Sequence, residues 1–233
     1  MINNSSFEDK PLLSGFRNSF PWNEEPNHSN FYYSMIYYML CKTIKARNIV
    51  EIGLENGYTS YMLATAAKEN GGIYLGIEGN INYATSIAKE LETWKDLRYA
   101  IVCANSKILE TKNFTDFGIN HIDFCLSDGE HSTPAILHEL DITYPLLGFS
   151  SYWLLHDVDS YSREALVTIV EDQSREFEIL TFEANFGLAI LRKKEAYWAN
   201  WQREKLSREN PYPGEWIRNS VKPEGIVIVG SRL

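Results

Sequence analysis

Two short clusters of histidine and aspartate are the parts of this sequence best suited to chemistry. The first is Asp128-Gly129-Glu130-His131 and the second is His156-Asp157-Val158-Asp159. A histidine with its ordinary pKa of about 6.5 can act as a general base near neutral pH. Carboxylates offer the oxygen ligands that suit a divalent cation such as Mg²⁺, which lowers the pKa of a bound hydroxyl. Either chemistry requires a fold that brings the two clusters together.

Each cluster follows a short apolar run that is typical of a buried strand. The runs are Ile122–Leu126 and Tyr152–Leu155, and three similar runs cover 49–52, 73–77 and 99–103. Segments with apolar residues at helical spacing separate them. Strands that alternate with helices in this way indicate a parallel sheet covered on both faces, with right-handed crossovers.

The helix before the second cluster is predicted from its one-sided apolar pattern. Ile136, Leu140, Tyr144 and Leu147 lie at helical spacing, and Gly148 then breaks the pattern. The fifth strand is therefore expected to begin at Tyr152, after an intervening loop.

Acidic residues stand where four of the five predicted strands end. They are Glu51, Glu78, Asp128 and Asp157. The carboxyl ends of parallel strands meet at one edge of the sheet, and ligands of such sheets bind beyond that edge. The sequence therefore predicts a ligand site lined by four carboxylates.

The junction between the first strand and its helix suits an anionic group. Gly53 follows the strand and Gly57 opens the helix, so backbone N–H groups and the positive end of the helix dipole face the space above the strand. Glu51, two residues before the first glycine, argues against a phosphate. A nucleoside that carries both an ammonium and a carboxylate fits these charges.

The chain departs from strict alternation after the fifth βα unit. Two apolar runs, 177–182 and 187–191, are joined by four residues, too few for a helical crossover. They predict an antiparallel hairpin. The expected fold is α/β, with three layers and a Rossmann-like, mostly parallel sheet of seven strands ending in this hairpin. The last apolar run, 226–229, is expected either to add an edge strand or to pair with another subunit.

Composition excludes several classes of function. The formal charge is −9, with 22 basic and 31 acidic residues, so a basic surface for nucleic acid or for anionic membranes is not expected. The N-terminal sequence lacks the pattern of a secretory signal, and no apolar stretch is long enough to span a bilayer. Cys41, Cys103 and Cys125 are widely spaced and predict reduced core thiols. These features predict a soluble cytoplasmic protein.

Three regions are predicted along the chain. Residues 1–27 read as an irregular arm, residues 28–192 as the catalytic domain, and residues 193–233 as a C-terminal helix and tail that pack on it. The arm holds Phe16, Phe20 and Trp22, which would pack on the surface or cover a substrate pocket. The aromatic residues near the C-terminus favour a homodimer or larger assembly.

Together with this order of elements, five motifs resemble the class I S-adenosylmethionine-dependent methyltransferases. The motifs are VEIGLENGYTS, GIEGN, VCANS, SDGEHS and LLHDVD, and the resemblance covers about residues 28–192. Within the class, the chain is similar to the small-molecule O-methyltransferases related to catechol O-methyltransferase and to the macrolide-sugar O-methyltransferases. That branch often has E-x-G-x-x-x-G-Y-[ST], which Glu51, Gly53, Gly57, Tyr58 and Thr59 match. Glu55 replaces the middle glycine of the wider class.

The resemblance implies S-adenosylmethionine as methyl donor and assigns residues to it. Glu51 would lie near the ammonium, the backbone from Gly53 to Ser60 near the carboxylate, Glu78 at the ribose hydroxyls, and Asn105 and Ser106 beside the adenine. The full implied set is Glu51, Gly53, Gly57, Tyr58, Thr59, Ser60, Glu78, Gly79, Asn105, Ser106 and Asp128.

The resemblance also implies the catalytic residues. His131 stands where the family places a catalytic lysine or histidine, so it is the candidate base, with Asp128 beside it. Asp128 and Asp157 occupy positions that carry metal ligands in metal-using relatives. Where the catechol enzymes have an asparagine, this chain has Val158, so Asp159 or His156 would complete a Mg²⁺ site. The sequence leaves open whether a metal is used.

The implied reaction moves a methyl group to a hydroxyl of a small molecule, with a sugar, nucleotide-sugar or glycosylated natural product favoured over a catechol-like phenol. Two alternatives stay open, namely a non-catalytic or regulatory protein that binds S-adenosylmethionine, and a metal-dependent hydrolase that uses the His/Asp clusters. A dinucleotide dehydrogenase fits less well, because GxGxxG is absent and its sheet does not end in this hairpin.

Overall fold

The described part of the chain forms one mixed sheet with helices on both faces. The computed structural model describes residues 28–172, 174–183, 186–194 and 225–233. The strands are β1 (Asn48–Ile52), β2 (Ile73–Glu78), β3 (Arg98–Cys103), β4 (Ile122–Ser127), β5 (Leu147–His156), β6 (Phe177–Phe182), β7 (Leu188–Lys193) and β8 (Val227–Arg232). Their order across the sheet is β6-β7-β5-β4-β1-β2-β3-β8.

Six α-helices cover the sheet in the described part of the chain. They are α1 (His28–Thr43), α2 (Tyr58–Glu69), α3 (Ile81–Glu92), α4 (Thr111–Asp116), α5 (Thr133–Thr143) and α6 (Arg163–Glu171). Successive residues of a strand point to opposite faces, so Ile49 packs in the core with α1, α2 and α3, whereas Val50 packs in the core with α4, α5 and α6. The three-layer α/β architecture predicted from the alternation is confirmed.

The central strands are parallel, and the hairpin is antiparallel. β1 pairs with β2 and β4, with Ile49 opposite both Tyr74 and Phe124. Each residue of β1 is buried, as expected for a strand covered on both faces. β7 runs antiparallel to both β5 and β6, so the predicted hairpin inserts its second strand beside β5.

The C-terminal run adds an eighth strand to the seven predicted. β8 pairs antiparallel with β3, with Tyr99 opposite Arg232. The guanidinium of Arg232 also donates to backbone carbonyls at the end of α3, including that of Glu92 at 2.7 Å. Of the two alternatives left open by the sequence, the edge strand within the same chain is observed.

One predicted boundary is wrong. Helix α5 ends at Thr143, a 3-10 turn covers Tyr144–Leu146, and β5 begins at Leu147. Pro145 explains the helix end, because proline lacks the N–H that a continued helix needs. The apolar pattern continued past this point because the residues of β5 are also buried.

Some predictions fall outside the described residues. These include the arm at 1–27 and the C-terminal helix, so the three-part division of the chain stays a prediction. Among the described helices, none has the length and apolarity to cross a bilayer. The three cysteines are free, with Cys41 and Cys125 buried and Cys103 partly exposed at the end of β3.

Candidate active site

A cavity of about 490 Å³ lies at the carboxyl ends of β1 to β5. Its size is within the range of roughly 300–1,000 Å³ that is usual for small-molecule sites. The predicted site residues that line it are Glu51, Gly53, Tyr58, Thr59, Glu78, Gly79, Asn105, Ser106, Asp128, His131, His156 and Asp157. The four carboxylates from separate strands therefore meet in one place.

The turn after β1 requires glycine at its first position. Gly53 has φ +89, a backbone conformation that side chains rarely adopt. A Cβ built there would lie 2.2 Å from the carbonyl oxygen of Asp128. Gly53 thus lets the turns after β1 and β4 touch, which places Asp128 against the floor of the cavity.

The N-terminus of α2 points into the cavity. Gly57 is the N-cap with φ 81, and no side chain caps this helix end. Tyr58 and Thr59, in the first turn, line the cavity. The positive end of the helix dipole therefore faces the ligand space, as an anionic group requires. Gly57 and Ser60 do not line the cavity, and Ser60 is fully buried below it.

Glu51 is a buried carboxyl in the cavity floor. It lies inside β1 and is 1% exposed. The hydroxyl of Tyr74 donates to it through a short hydrogen bond. Burial raises the pKa of Glu51 to about 8, and the hydrogen bond from Tyr74 only partly offsets this effect. A bound ammonium would favour the ionised carboxylate.

Glu78 holds the glycine turn as well as facing the cavity. Its Oε2 accepts from the backbone N–H groups of Leu54 at 2.9 Å and Glu55 at 3.1 Å. Its Oε1 accepts from the N–H of Asn80 at 2.7 Å. A carboxylate has about four acceptor sites, so this arrangement leaves capacity for a ribose hydroxyl.

Asn105 and Ser106 form the wall that follows β3. The side chain of Asn105 accepts from the backbone N–H of Lys107 at 2.9 Å and so caps a short 3-10 turn. The hydroxyl of Ser106 points away from the cavity, donating to Glu139 at 2.7 Å. Sequence reasoning did not identify Glu139.

A chain of histidine and aspartate side chains joins the two chemical clusters. Nε2 of His131 lies 3.3 Å from Oδ2 of Asp157. Nδ1 of His156 lies 3.0 Å from Oδ1 of Asp157 and 3.2 Å from Oδ1 of Asp128. Burial lowers the pKa of His156, but the hydrogen bonds and negative charge of the two aspartates outweigh it and raise the pKa to about 10. His156 is therefore an imidazolium between two carboxylates at neutral pH.

The group that could hold a metal contains both predicted aspartates and a different third residue. Ligand atoms of Asp128, His131 and Asp157 all lie within 4.8 Å of one another. Asp159 is exposed and does not line the cavity. Its backbone N–H bonds instead to the carbonyl of Phe186 at 2.9 Å. The chain turns away after Asp157, so the residue beyond Val158 points elsewhere.

Three of the six non-glycine residues with positive φ in the described part of the chain line the cavity. Glu55, Asp157 and Phe186 have positive φ values of 43, 60 and 71, and all three line it. Such conformations cost of order 1–3 kcal/mol each and cluster at functional sites. At Asp157 the strained turn aims the carboxylate back between the two histidines.

Several aromatic residues at the cavity were not predicted. They are Tyr33, Tyr37, Tyr83 and Phe186. Tyr33 meets the ring of His156 edge-on, with centroids 5.0 Å apart. Tyr33 lies in α1 at helical spacing from the buried Tyr37 and Cys41, as a core residue does, so the sequence carries no signal that separates it from ordinary packing.

Residues 50–158 match the model of the family described as a methyltransferase domain. No curated protein sequence matches the chain. The matched stretch begins at the first of the motifs and ends within the last, so this part of the chain is similar to methyltransferase domains, as its motifs predict.

Solved structures share this fold. An O-methyltransferase from Bacillus cereus in complex with SAH is 15% identical, with a TM-score of 0.54 over 78% of this chain and 88% of that one. The O-methyltransferase TomG from Streptomyces achromogenes, in complex with SAM, is 13% identical, with a TM-score of 0.51 over 79% and 96% of the two chains. SAH-bound PaMTH1 from Podospora anserina is 12% identical, with a TM-score of 0.51 over 79% and 94%.

Proposed function

We propose that this protein transfers a methyl group from S-adenosylmethionine to a hydroxyl of a small molecule. The observation that carries the proposal is the meeting of Glu51, Glu78, Asp128 and Asp157 in one cavity with His131. SAM-bound and SAH-bound proteins of the same fold support the choice of donor. Two of these proteins are described as O-methyltransferases, which supports oxygen as the acceptor.

Glu51 and the start of α2 would hold the methionine end of the donor. The ammonium would pair with Glu51, whose buried position makes a charge pair stronger than it would be in water. The carboxylate would face the N-terminus of α2, and the ribose would reach Glu78.

His131 is the base in this proposal. The acceptor oxygen attacks the methyl carbon while its proton passes to the imidazole, and the carbon–sulfur bond breaks with its electron pair returning to sulfur. Asp157, 3.3 Å from Nε2 of His131, would hold the proton on that nitrogen and leave Nδ1 to accept. It would then also stabilise the imidazolium that forms.

A divalent cation fits the two aspartates. Asp128 and Asp157 supply the oxygen ligands that Mg²⁺ prefers, whereas a metal that favours imidazole would also take His131. Such a cation would lower the pKa of a bound acceptor hydroxyl. His156 already places a positive charge beside both carboxylates. Proton removal by His131 alone therefore accounts for the reaction as fully as a metal-assisted mechanism does.

An uncharged acceptor fits the cavity better than a phosphate-bearing one. Within the described part of the chain, the charged side chains that line the cavity are carboxylates and the two histidines. Tyr33, Tyr83 and Phe186 offer faces on which a sugar or aromatic ring can stack. A sugar or glycoside is therefore favoured over a nucleotide-sugar.

Two measurements test the function. Calorimetry with S-adenosylmethionine and S-adenosylhomocysteine, with Mg²⁺ or with EDTA, tests donor binding and the effect of metal. Formation of S-adenosylhomocysteine with sugars, glycosides, catechols and nucleotide-sugars then tests the acceptor. Failure to bind either nucleoside would overturn the proposal. Binding without transfer to any of these acceptors would instead support a non-catalytic binding protein.

A further inference from the structure

Glu139 is a buried carboxyl outside the cavity that the proposed reaction does not use. It lies in α5 and is 0% exposed. Its two oxygens accept from two different segments, Oε1 from the hydroxyl of Ser106 at 2.7 Å and Oε2 from the hydroxyl of Ser127 at 2.5 Å. A single side chain thus joins the turn after β3 to the end of β4.

The two serines belong to different parts of the site. Ser106 lines the cavity next to Asn105, on the wall assigned to the adenine. Ser127 is the last residue of β4 and directly precedes Asp128. A Cβ on Gly129 would lie 3.4 Å from Oε1 of Glu139, so the carboxyl also supports the turn that carries the acid. The carboxyl of Glu139 therefore contacts both walls of the cavity, at Ser106 and at Ser127.

Packing alone does not explain a carboxyl at this position. Its neighbours on the inner face of α5 include the buried Ile136 and Leu140. An apolar side chain of similar volume would avoid the cost of burying an acid. Burial raises the pKa of Glu139 to about 7 although the two serines counteract it, and Asp128 and Glu130 raise it further. The site therefore keeps the acid at a cost to stability.

We propose that Glu139 is a positioning residue that couples the donor wall at Ser106 to the acceptor wall at Asp128. The inference rests on the proposed methyl transfer, because it assigns the two walls to donor and acceptor. With both hydrogen bonds made, the spacing between the two walls is set by the carboxyl. Filling of the donor wall is thereby transmitted to the backbone of Asp128.

Four variants test this coupling in the full chain. Ser106→Ala should weaken S-adenosylhomocysteine binding about three- to tenfold with little change in kcat, because one hydrogen bond contributes about 1 kcal/mol. Ser127→Ala should lower kcat by a similar factor with little change in the Kd. Glu139→Gln should do both. Ser106→Ala combined with Glu139→Gln should bind no more weakly than Glu139→Gln alone, since the two changes break one network.

Glu164→Gln is the matched control. Glu164 is an exposed carboxylate that accepts from the hydroxyl of Thr133, at the start of the same α5, at 3.0 Å. Its substitution should leave both the Kd and kcat unchanged. Thermal unfolding of every variant separates a loss of fold from a loss of coupling.

The outcomes separate the inference from the function beneath it. A folded Glu139→Gln variant that binds and turns over like the unsubstituted protein, or that loses only thermal stability, would overturn the inference. Should that variant fail to fold, unchanged binding in Ser106→Ala or unchanged kcat in Ser127→Ala would overturn it equally. Failure of the unsubstituted protein to bind S-adenosylhomocysteine would overturn the proposed function itself.

Discussion

The two ends of the parallel strands both bring a histidine against an aspartate, in different surroundings. At the amino end, Nε2 of His121 lies 3.4 Å from Oδ1 of Asp123. Oδ2 of Asp123 accepts from the N–H groups of Arg47 and Asn48, both at 2.9 Å. At the carboxyl end, His131 and Asp157 line a cavity instead.

The amino-end pair, His121 and Asp123, holds neighbouring strands together, whereas the carboxyl-end pair, His131 and Asp157, is available to a ligand. Although burial acts against it, hydrogen bonds from His121 and the two backbone N–H groups hold the pKa of Asp123 below its ordinary value. A histidine–aspartate pair is therefore not a catalytic signal by itself. In a parallel sheet, the crevice for ligands lies beyond the carboxyl ends, because the helices begin there and the loops diverge.

The largest expected effect separates the two histidines. His131→Gln should lower kcat about 10²- to 10⁴-fold, the usual contribution of a general base, with little change in the Kd for S-adenosylhomocysteine. His121→Gln is the matched control and should leave kcat unchanged. Steady-state rates with a fixed acceptor measure both. An equal loss of kcat in His131→Gln and His121→Gln would show that catalysis does not distinguish the carboxyl end of the sheet from the amino end.

The next effect concerns the buried acid at the carboxyl end. The folded pKa of Glu51, about 8, lies above the value of an unfolded glutamate, so the folded state binds more protons between those values. Stability should therefore fall as pH rises from about 4 to 8. Glu51→Gln should reduce this pH-dependent change in the free energy of unfolding by a few kcal/mol at most. The same substitution should weaken donor binding.

Urea unfolding from pH 5 to 9 and calorimetry at pH 7 measure the two effects of Glu51→Gln. Tyr74 donates a hydrogen bond to Glu51, and Asp128 and Glu78 act on it through charge, so these three groups are kept unchanged. An unchanged slope with pH would show that Glu51 is ionised in the free protein.

The acid at the amino end should behave in the opposite way. Asp123→Ala leaves two backbone N–H groups without their acceptor and should cost about 1–3 kcal/mol of stability, with kcat of the folded protein unchanged. The folded pKa of Asp123 is lowered, so its contribution is present above pH 4 and is lost as pH falls through the folded value. Urea unfolding at pH 7 and pH 3 checks both statements. A fall in kcat would contradict the structural role.

The smallest effect is expected from an exposed pair at the rim. Lys107 Nζ lies 2.5 Å from Oε1 of Glu130, with both side chains more than 40% exposed. Lys107→Ala should leave stability nearly unchanged, because exposed ion pairs contribute little. The result should be compared with that of Glu139→Gln, because Glu139 joins the same two walls below the surface. A larger loss of stability from Lys107→Ala than from Glu139→Gln would assign the coupling between the walls to the exposed ion pair.

Local patterns were sufficient for most of the fold. Alternation of apolar runs with helical spacing indicated the parallel sheet, and the four-residue link before Gly187 indicated the antiparallel hairpin. The boundary near Tyr144 failed because an apolar pattern does not distinguish the end of a buried helix from the start of a buried strand. The partner of the C-terminal run could not be chosen, since pairing with β3 depends on a contact distant in sequence.

The sequence by itself determined that Glu51, Glu78, Asp128 and Asp157 would gather at one edge, because strands joined by right-handed helical crossovers end on the same side. It also determined the glycine turn, where a Cβ at Gly53 has no room. Tertiary structure alone decided the placement of His156 between two aspartates, the turning away of Asp159, and the burial of Glu139 between two serines. These three depend on side chains that meet from separate segments, and spacing along the chain carries no information about such meetings.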